Sequence, residues 1–254
     1  MDCCRLLFFS IVFLLAGCSK NDIDLKQFEN KQADFIYSSA KSYMDSKKYK
    51  EAVQIFEELE KQYPYSKHIP LSQIYMADSY YNMKKYEEAA TTYEIFIKTH
   101  ATHKMIPYAL FMLGKLSYDQ ILIVERDQDE AAQSLEYFET LVQQFPNSEY
   151  VKSANNFIKL TRQHLAGREL YVAKYYQSKK NYAAAICRLN TVIDNYEDTN
   201  LMPEALHRLI ECYTAMGFVD EARKVFAVLD KDYKTTSWYE HSKKLLPGTI
   251  VKWR

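Results

Sequence analysis

The stretch 47–66, KKYKEAVQIFEELEKQYPYS, returns in outline at 84–103 as KKYEEAATTYEIFIKTHATH. Each copy sets a tyrosine, an alanine three residues on, an aromatic four beyond that and an apolar residue three further. These are Tyr49, Ala52, Phe56 and Leu59 in the first copy and Tyr86, Ala89, Tyr93 and Phe96 in the second. Steps of three and four put these side chains on one face of an α-helix, with the small residue where a neighbouring helix must come close. The frame recurs at Ala131, Ser134, Phe138, Leu141; at Tyr182, Ala185, Leu189, Val192; and at Val219, Ala222, Phe226, Leu229. One such unit cannot bury its apolar face alone, so a chain that repeats it is built as an array.

Upstream of most copies runs a second amphipathic helix ending in an aromatic: SSAKSYMDSKKY, MADSYYNMKKY, VAKYYQSKKNY and LIECYTAMGFVDEA. Helix, short turn, helix, with alanine followed by an aromatic and then proline, resembles the tetratricopeptide repeat. Pro64 and Pro146 match that family's terminal proline, while Pro70, Pro107 and Pro203 open following helices, where a missing N–H costs nothing. Only 5 Gly and 6 Pro in 254 residues leave few tight turns for strands, so an all-α fold is expected. The spacing from position 52 to 89, 134, 185 and 222 is 37, 45, 51 and 37 residues, against about 34 for the family. The excess is assigned to an insertion in the third unit, SYDQILIVERDQDE, and to one long linking helix before the fourth, SEYVKSANNFIKLTRQHLAGRELYVAKYY. The expected organisation is a superhelix of about five helix pairs, with repeats one to three over 33–146, the linking helix and repeats four and five over 147–245, and a tail over 246–254.

The N-terminus reads differently. Leu6 to Ala16 carries no charge, but it is about half the roughly 20 residues a helix needs to cross a bilayer. Preceded by Arg5 and ending in small residues, it reads as a cleavable secretory signal over 1–17. Leu15-Ala16-Gly17-Cys18 resembles the bacterial lipobox, which implies a lipidated Cys18 as the first mature residue. Several acyl chains, at about 0.8 kcal/mol per buried methylene, hold a soluble body on a membrane. Ser19 after the cysteine resembles the sorting signal for the outer membrane, and residues 18–32 are expected to form a polar tether.

With 33 basic and 33 acidic residues there is no net field to attract nucleic acid. Cys187 and Cys212 are the cysteines left beyond Cys18; isolated cysteines in helices are more often small buried apolar residues than disulfide partners. HATH at 100–103 and His207 with Glu211 invite a metal reading, but no further ligand stands near the first pair and no HExxH, GxSxG, P-loop or nucleotide fingerprint occurs. No catalysis, cofactor, metal or small-molecule substrate is expected.

In a tetratricopeptide array the first helix of each pair lines the groove. The matching residues are Asp34, Tyr37, Lys41 and Met44; Leu71, Ile74, Asp78 and Tyr81; and Tyr108, Phe111, Lys115 and Tyr118. Tyrosine interleaved with lysine and aspartate suits an extended peptide, with aromatic area for contact and charge for register. Packing between adjacent helices would account for the same tyrosines equally well.

More of the chain resembles one family. ADFIYSSAKSYMDSKKYKEAVQIFEELEKQYPYSKHIPLSQIYMADSYY, RDQDEAAQSLEYFETLVQQFPNSEYVKSA and LYVAKYYQSKKNYAAAICRLNTVIDNYEDT resemble, in order, segments of the BamD (ComL) family of outer-membrane assembly lipoproteins. The likeness spans about residues 18 to 230, although Glu197 stands where the family usually has proline and SWYEHSKKLLPGTIVKWR has no counterpart. The resemblance implies a lipid-anchored scaffold on the periplasmic face of the outer membrane, serving the β-barrel assembly machinery. Its implied partners are a BamA-type barrel subunit, other subunits of the complex, and unfolded barrel precursors. By position, Tyr37, Lys41, Tyr81, Tyr108 and Tyr118 are expected to meet precursor or partner. Tyr176, Arg188, Asn195 and Tyr196 are expected to meet the barrel subunit, and Arg126 and Asp127 lie in the insertion, bracing a loop or touching a partner. The rival readings are a pilus-assembly or secretin-pilot lipoprotein, a cytosolic repeat protein, and a module of a cell-wall-cleaving enzyme. That last would need a catalytic domain for which no chain is left after residue 245.

Overall fold

The computed structural model describes residues 23–121 and 129–246. Among them are eleven α-helices, preceded by a 3-10 turn at Leu25–Phe28. The first pairs are α1 (Ala33–Asp45) with α2 (Tyr49–Gln62), α3 (Ile69–Asn82) with α4 (Tyr86–Thr99), and α5 (Ile106–Asp119) with α6 (Asp129–Gln144). Then come the long α7 (Val151–Ser178) with α8 (Tyr182–Asn195), α9 (Met202–Ala215) with α10 (Val219–Asp232), and α11 (Ser237–Leu245). Consecutive helices pack on one another, and α1 also meets α3, α5 meets α7 and α9 meets α11. No strand occurs among the described residues, and no helix there is long and apolar enough to cross a membrane.

The small residue of the sequence frame decides how close the helices come. Ala52, Ala89, Ser134, Ala185 and Ala222 are all 0% exposed, and the aromatic or apolar residues after them are buried beside them. In the third pair the first helix itself contributes a glycine at the contact. Ser134 donates its hydroxyl to the Gly114 carbonyl at 2.9 Å, and a Cβ added at Gly114 would lie 2.8 Å from the Phe138 ring. Glycine here makes room for a phenylalanine.

The turns inside the first, second, fourth and fifth pairs repeat a single geometry. Lys47, Lys84, Lys180 and Gly217 all have positive φ, at 59°, 59°, 58° and 81°. Around each, two backbone bonds close the helix end, such as Lys84 N–H to Tyr81 O at 2.9 Å and Lys85 N–H to Tyr80 O at 3.0 Å. This is the Schellman closure, normally made by glycine. Three of the four positions keep lysine in spite of the Cβ cost of the left-handed region.

The turns between pairs follow a second rule. The N–H of Tyr63, His100, Phe145, Tyr196 and Tyr233 bonds the last buried apolar carbonyl of the preceding helix. Three residues on, Ser66 and Ser148 each accept the N–H two residues ahead, and Thr236 the N–H three ahead, all at 3.3 Å.

The long α7, of 28 residues, is about 42 Å from end to end. Its N-terminal part completes one core with Ala154, Phe157 and Ile158, and its C-terminal part opens another with Ala166, Leu170 and Ala173. One helix thus completes the core shared by the second and third pairs and serves as the first helix of the fourth.

Several expectations change. Within the expected tether, apolar residues find a core: Phe28 is buried against the first helix pair, and Ile23 and Leu25 pack beside it. Ile74, assigned to the groove, is core. Of the two cysteines, Cys212 is buried and Cys187 exposed, and both are free. The unplaced SWYEHSKKL forms α11. Cys18, Arg126, Asp127 and residues 247–254 lie outside the described residues.

Replacing Lys84 by glycine is expected to stabilise the chain by about 1 kcal/mol, and Gly217→Ala to destabilise it by a similar amount. Nothing stands within 4 Å of a Cβ at Gly217, so strain alone is tested there. Urea titrations of both variants at unchanged slope give the comparison.

Candidate functional site

The first helices place the expected groove residues side by side. Tyr37 on α1 stacks on His68 at 4.3 Å and tilts against Tyr75 of α3 at 6.4 Å. Burial, with help from Tyr75, pushes the Tyr37 phenol up to about 12. Lys41 lies 4.9 Å over the Tyr75 ring and pairs with Asp45 at 3.3 Å. His68 meets the Asp34 carboxylate, which Lys67 also approaches at 3.3 Å. The α1 to α3 seam is therefore aromatic in the middle and charged at its edge.

The α3 to α5 seam is built on two carboxylates. Asp78 accepts the hydroxyls of Tyr93 from α4 and Tyr108 from α5, the latter at 2.8 Å. Burial raises the Asp78 pKa, and the two phenol hydrogen bonds hold against that rise. One turn along, Tyr81 donates to Asp119, and Lys115 bonds both Tyr81 and Asp119, the latter at 2.9 Å. Its ammonium also sits 4.7 Å over the Tyr81 ring. Further on, Tyr118 meets the Phe157 ring edge-on at 4.9 Å, and Tyr150 packs against Tyr108 and Phe111.

The residues expected in the groove are thus also packing residues. Tyr37, Lys41, Tyr81, Tyr108 and Tyr118 each touch a neighbouring first helix and each stay partly exposed. The side chains of this face already hold one another.

The second expected set gathers on α7, α8 and the turn after α8. Arg188 pairs with Glu169 of α7 at 3.1 Å and stays about half exposed. Arg162 of α7 grips the turn: its guanidinium bonds both Asp198 oxygens at 2.8–3.0 Å and the Asn195 carbonyl at 2.7 Å. The same guanidinium lies 5.6 Å over the Tyr196 ring. Hydrogen bonding from Arg162 lowers the Asp198 pKa against the opposing effect of burial. Tyr176 packs in the fourth core and against Tyr175, away from this clamp. Sequence reasoning named Asn195 and Tyr196 but missed Arg162, Glu169 and Asp198, which hold their surroundings. The acids after Tyr196, where the pattern calls for proline, were the available signal.

The two metal suggestions resolve into structural roles. His103 Nδ1 accepts the Met105 N–H at 3.2 Å, the place Ser66, Ser148 and Thr236 fill elsewhere. His207 is buried, bonded to Ser242 of α11 at 2.7 Å and paired with Glu211 at 3.4 Å. Trp238 of α11 covers it, so the groove side of α9 is occupied by the chain itself. No cluster of three potential ligands occurs among the described residues.

Residues 29–229 match the family model YfiO, described as outer membrane lipoprotein. The chain belongs to this family. Among its relatives, the outer membrane protein assembly factor BamD of Rickettsia prowazekii is 35% identical over 83% of this chain and 84% of its own. The BamD of Caulobacter vibrioides is 31% identical over 91% of this chain and 76% of its own. Of solved structures, the TPR2AB-domain:pHSP90-complex of yeast Sti1 superposes with a TM-score of 0.47 at 12% identity, covering 84% of this chain and 82% of that one. Within the family match fall both seams of the first helices and the Arg162 clamp.

Removing the shared acceptor with Asp78→Ala leaves two phenol hydroxyls without it and is expected to cost about 2–3 kcal/mol in denaturant titration. The second test is one of pH. Burial depresses the His103 pKa, so its contribution is present above about pH 6.5, the ordinary histidine value, and is lost as pH falls through the folded value. His103→Ser keeps an acceptor and is expected to remove that share of the acid loss of stability.

Proposed function

We propose that this chain is a non-catalytic scaffold of outer-membrane protein assembly, working by binding alone. The observation that carries the reading is the family match over residues 29–229, together with relatives named as outer membrane protein assembly factors. In this reading a lipidated Cys18 anchors it to the outer membrane, with the body on the periplasmic side. The face of α1, α3 and α5 meets unfolded barrel precursors. Such precursors alternate polar and apolar residues and carry aromatic ends, and a preformed face of half-exposed tyrosine, lysine and aspartate gives them contact area and register at little cost in ordering. Affinity stays modest because many of the face's polar groups already have partners, so release needs no nucleotide.

The α7 to α8 surface meets the integral barrel subunit. Arg188 offers a half-exposed cation, and Asn195 and Tyr196 sit on a turn already fixed by Arg162. Arg126 and Asp127 are assigned to the insertion, where they brace the loop or touch a partner.

Capture of the tagged chain from envelopes in mild detergent, followed by mass spectrometry, is expected to recover an outer-membrane barrel with several periplasmic domains. Arg188→Glu is expected to cut that recovery at least about tenfold, the scale of losing one charged interfacial contact, with the helical spectrum unchanged. Recovery of a pilus secretin or a peptidoglycan enzyme in place of the barrel would overturn the reading.

A further inference from the structure

The N-terminal approach to the first helix pair fixes more than its own stability. Asp24 caps the 3-10 turn by accepting the Lys26 N–H at 3.1 Å. The Phe28 carbonyl accepts from Gln62 at 3.3 Å, and the Lys31 carbonyl accepts from Tyr63 at 2.7 Å. Phe28 is 3% exposed. The chain is therefore docked from Ile23 onward, against the C-terminal end of α2.

This docking shortens the leash. A free tether from Cys18 to the start of α1 would reach about 50 Å, whereas the five residue steps from Cys18 to Ile23 reach at most ~17 Å. A helix is about 10 Å across, so the docked end of the body stays within less than two helix widths of the surface that holds the lipid.

The end of the first pair that the leash holds down carries two unusual aromatics. Phe35 is 52% exposed, and Tyr65 is 100% exposed. Phe35 lies beside Phe28 at 6.4 Å, and Tyr65 follows the Tyr63 that bonds Lys31, so both stand at the leash end. The charges around them nearly cancel. Lys26, Lys31, Lys61 and Lys67 are matched in number by Asp24, Glu29, Asp34 and Glu58, with Lys67 paired to Asp34 and Lys61 to Glu58. An ionic attraction is thus weak there, while amphipathic aromatics suit the boundary between headgroups and acyl chains.

We propose that this end of the first helix pair rests on the phospholipid leaflet that holds Cys18, with Phe35 and Tyr65 as its membrane-contacting side chains. The inference depends on the lipidation of Cys18. It places the leaflet at the edge of the array formed by the start of α1 and the end of α2.

The test uses the full lipidated chain in vesicles of phosphatidylethanolamine and phosphatidylglycerol carrying doxyl-labelled lipid, in a Cys187→Ser background. Cys212 stays buried, its thiol pushed up to about 11 by burial. A fluorophore is attached through Phe35→Cys, Tyr65→Cys or, as control, Val228→Cys, an exposed position on α10. Quenching several-fold stronger at 35 and 65 than at 228, and unchanged in high salt, is the expected result. Chain that floats with the vesicles but is quenched no more at 35 and 65 than at 228 would overturn the inference and leave the lipid anchor standing. Chain that lacks lipid by mass and does not float would overturn the anchor, and the inference with it.

Discussion

Ala52, Ala89, Ser134, Ala185 and Ala222 set the distance at which each second helix meets its first, and the rest of the fold follows from that distance. Burying a residue no larger than serine brings the two backbones together, so the following aromatic or apolar residue reaches across the first helix into the core. Phe56, Tyr93, Phe138 and Leu189 are fully enclosed in this way. A larger side chain at any of the five positions would part the pair and strand its core residue, a packing change that costs about 1–3 kcal/mol even when structure can shift.

Because each pair is thin, its first helix must also face the next pair, and that demand shapes the surface. Asp78 is the clearest case: its carboxylate joins α3, α4 and α5 through two tyrosine hydroxyls. Lys115 does the same work at the edge with Tyr81 and Asp119. Side chains that hold neighbouring helices together from one side are left half-exposed on the other. A surface made from its own mortar is mixed in polarity, with many of its polar groups already paired. At the far end α11 lies over α9 through His207, Ser242 and Trp238, ending the open face with a piece of the same chain.

The helix pairs were legible because a period of three and four with a small residue is a direct consequence of helix geometry, and Ala52 or Phe226 needs no further context. The left-handed lysines were not legible: Lys47, Lys84 and Lys180 give no compositional sign of a turn that glycine normally makes. The groove tyrosines could be placed on a face but not assigned between contact and packing, since the sequence does not reveal that Tyr93 and Tyr108 converge on Asp78. Arg162 escaped notice because its partners, Asp198 and the Asn195 carbonyl, lie over thirty residues away. Phe28 was hidden by its polar neighbours, and only the docked turn shows that the stretch before α1 belongs to the body.

The central claim is that the face of α1, α3 and α5 holds unfolded barrel precursors. Photo-crosslinking tests it most directly, with a photoreactive residue placed in turn at Lys41 and Tyr118 on that face and at Ile95 on α4, presented with an unfolded outer-membrane barrel protein. The account predicts adducts at Lys41 and Tyr118 and few at Ile95. Adducts of equal yield at all three, or at Ile95 alone, would contradict it.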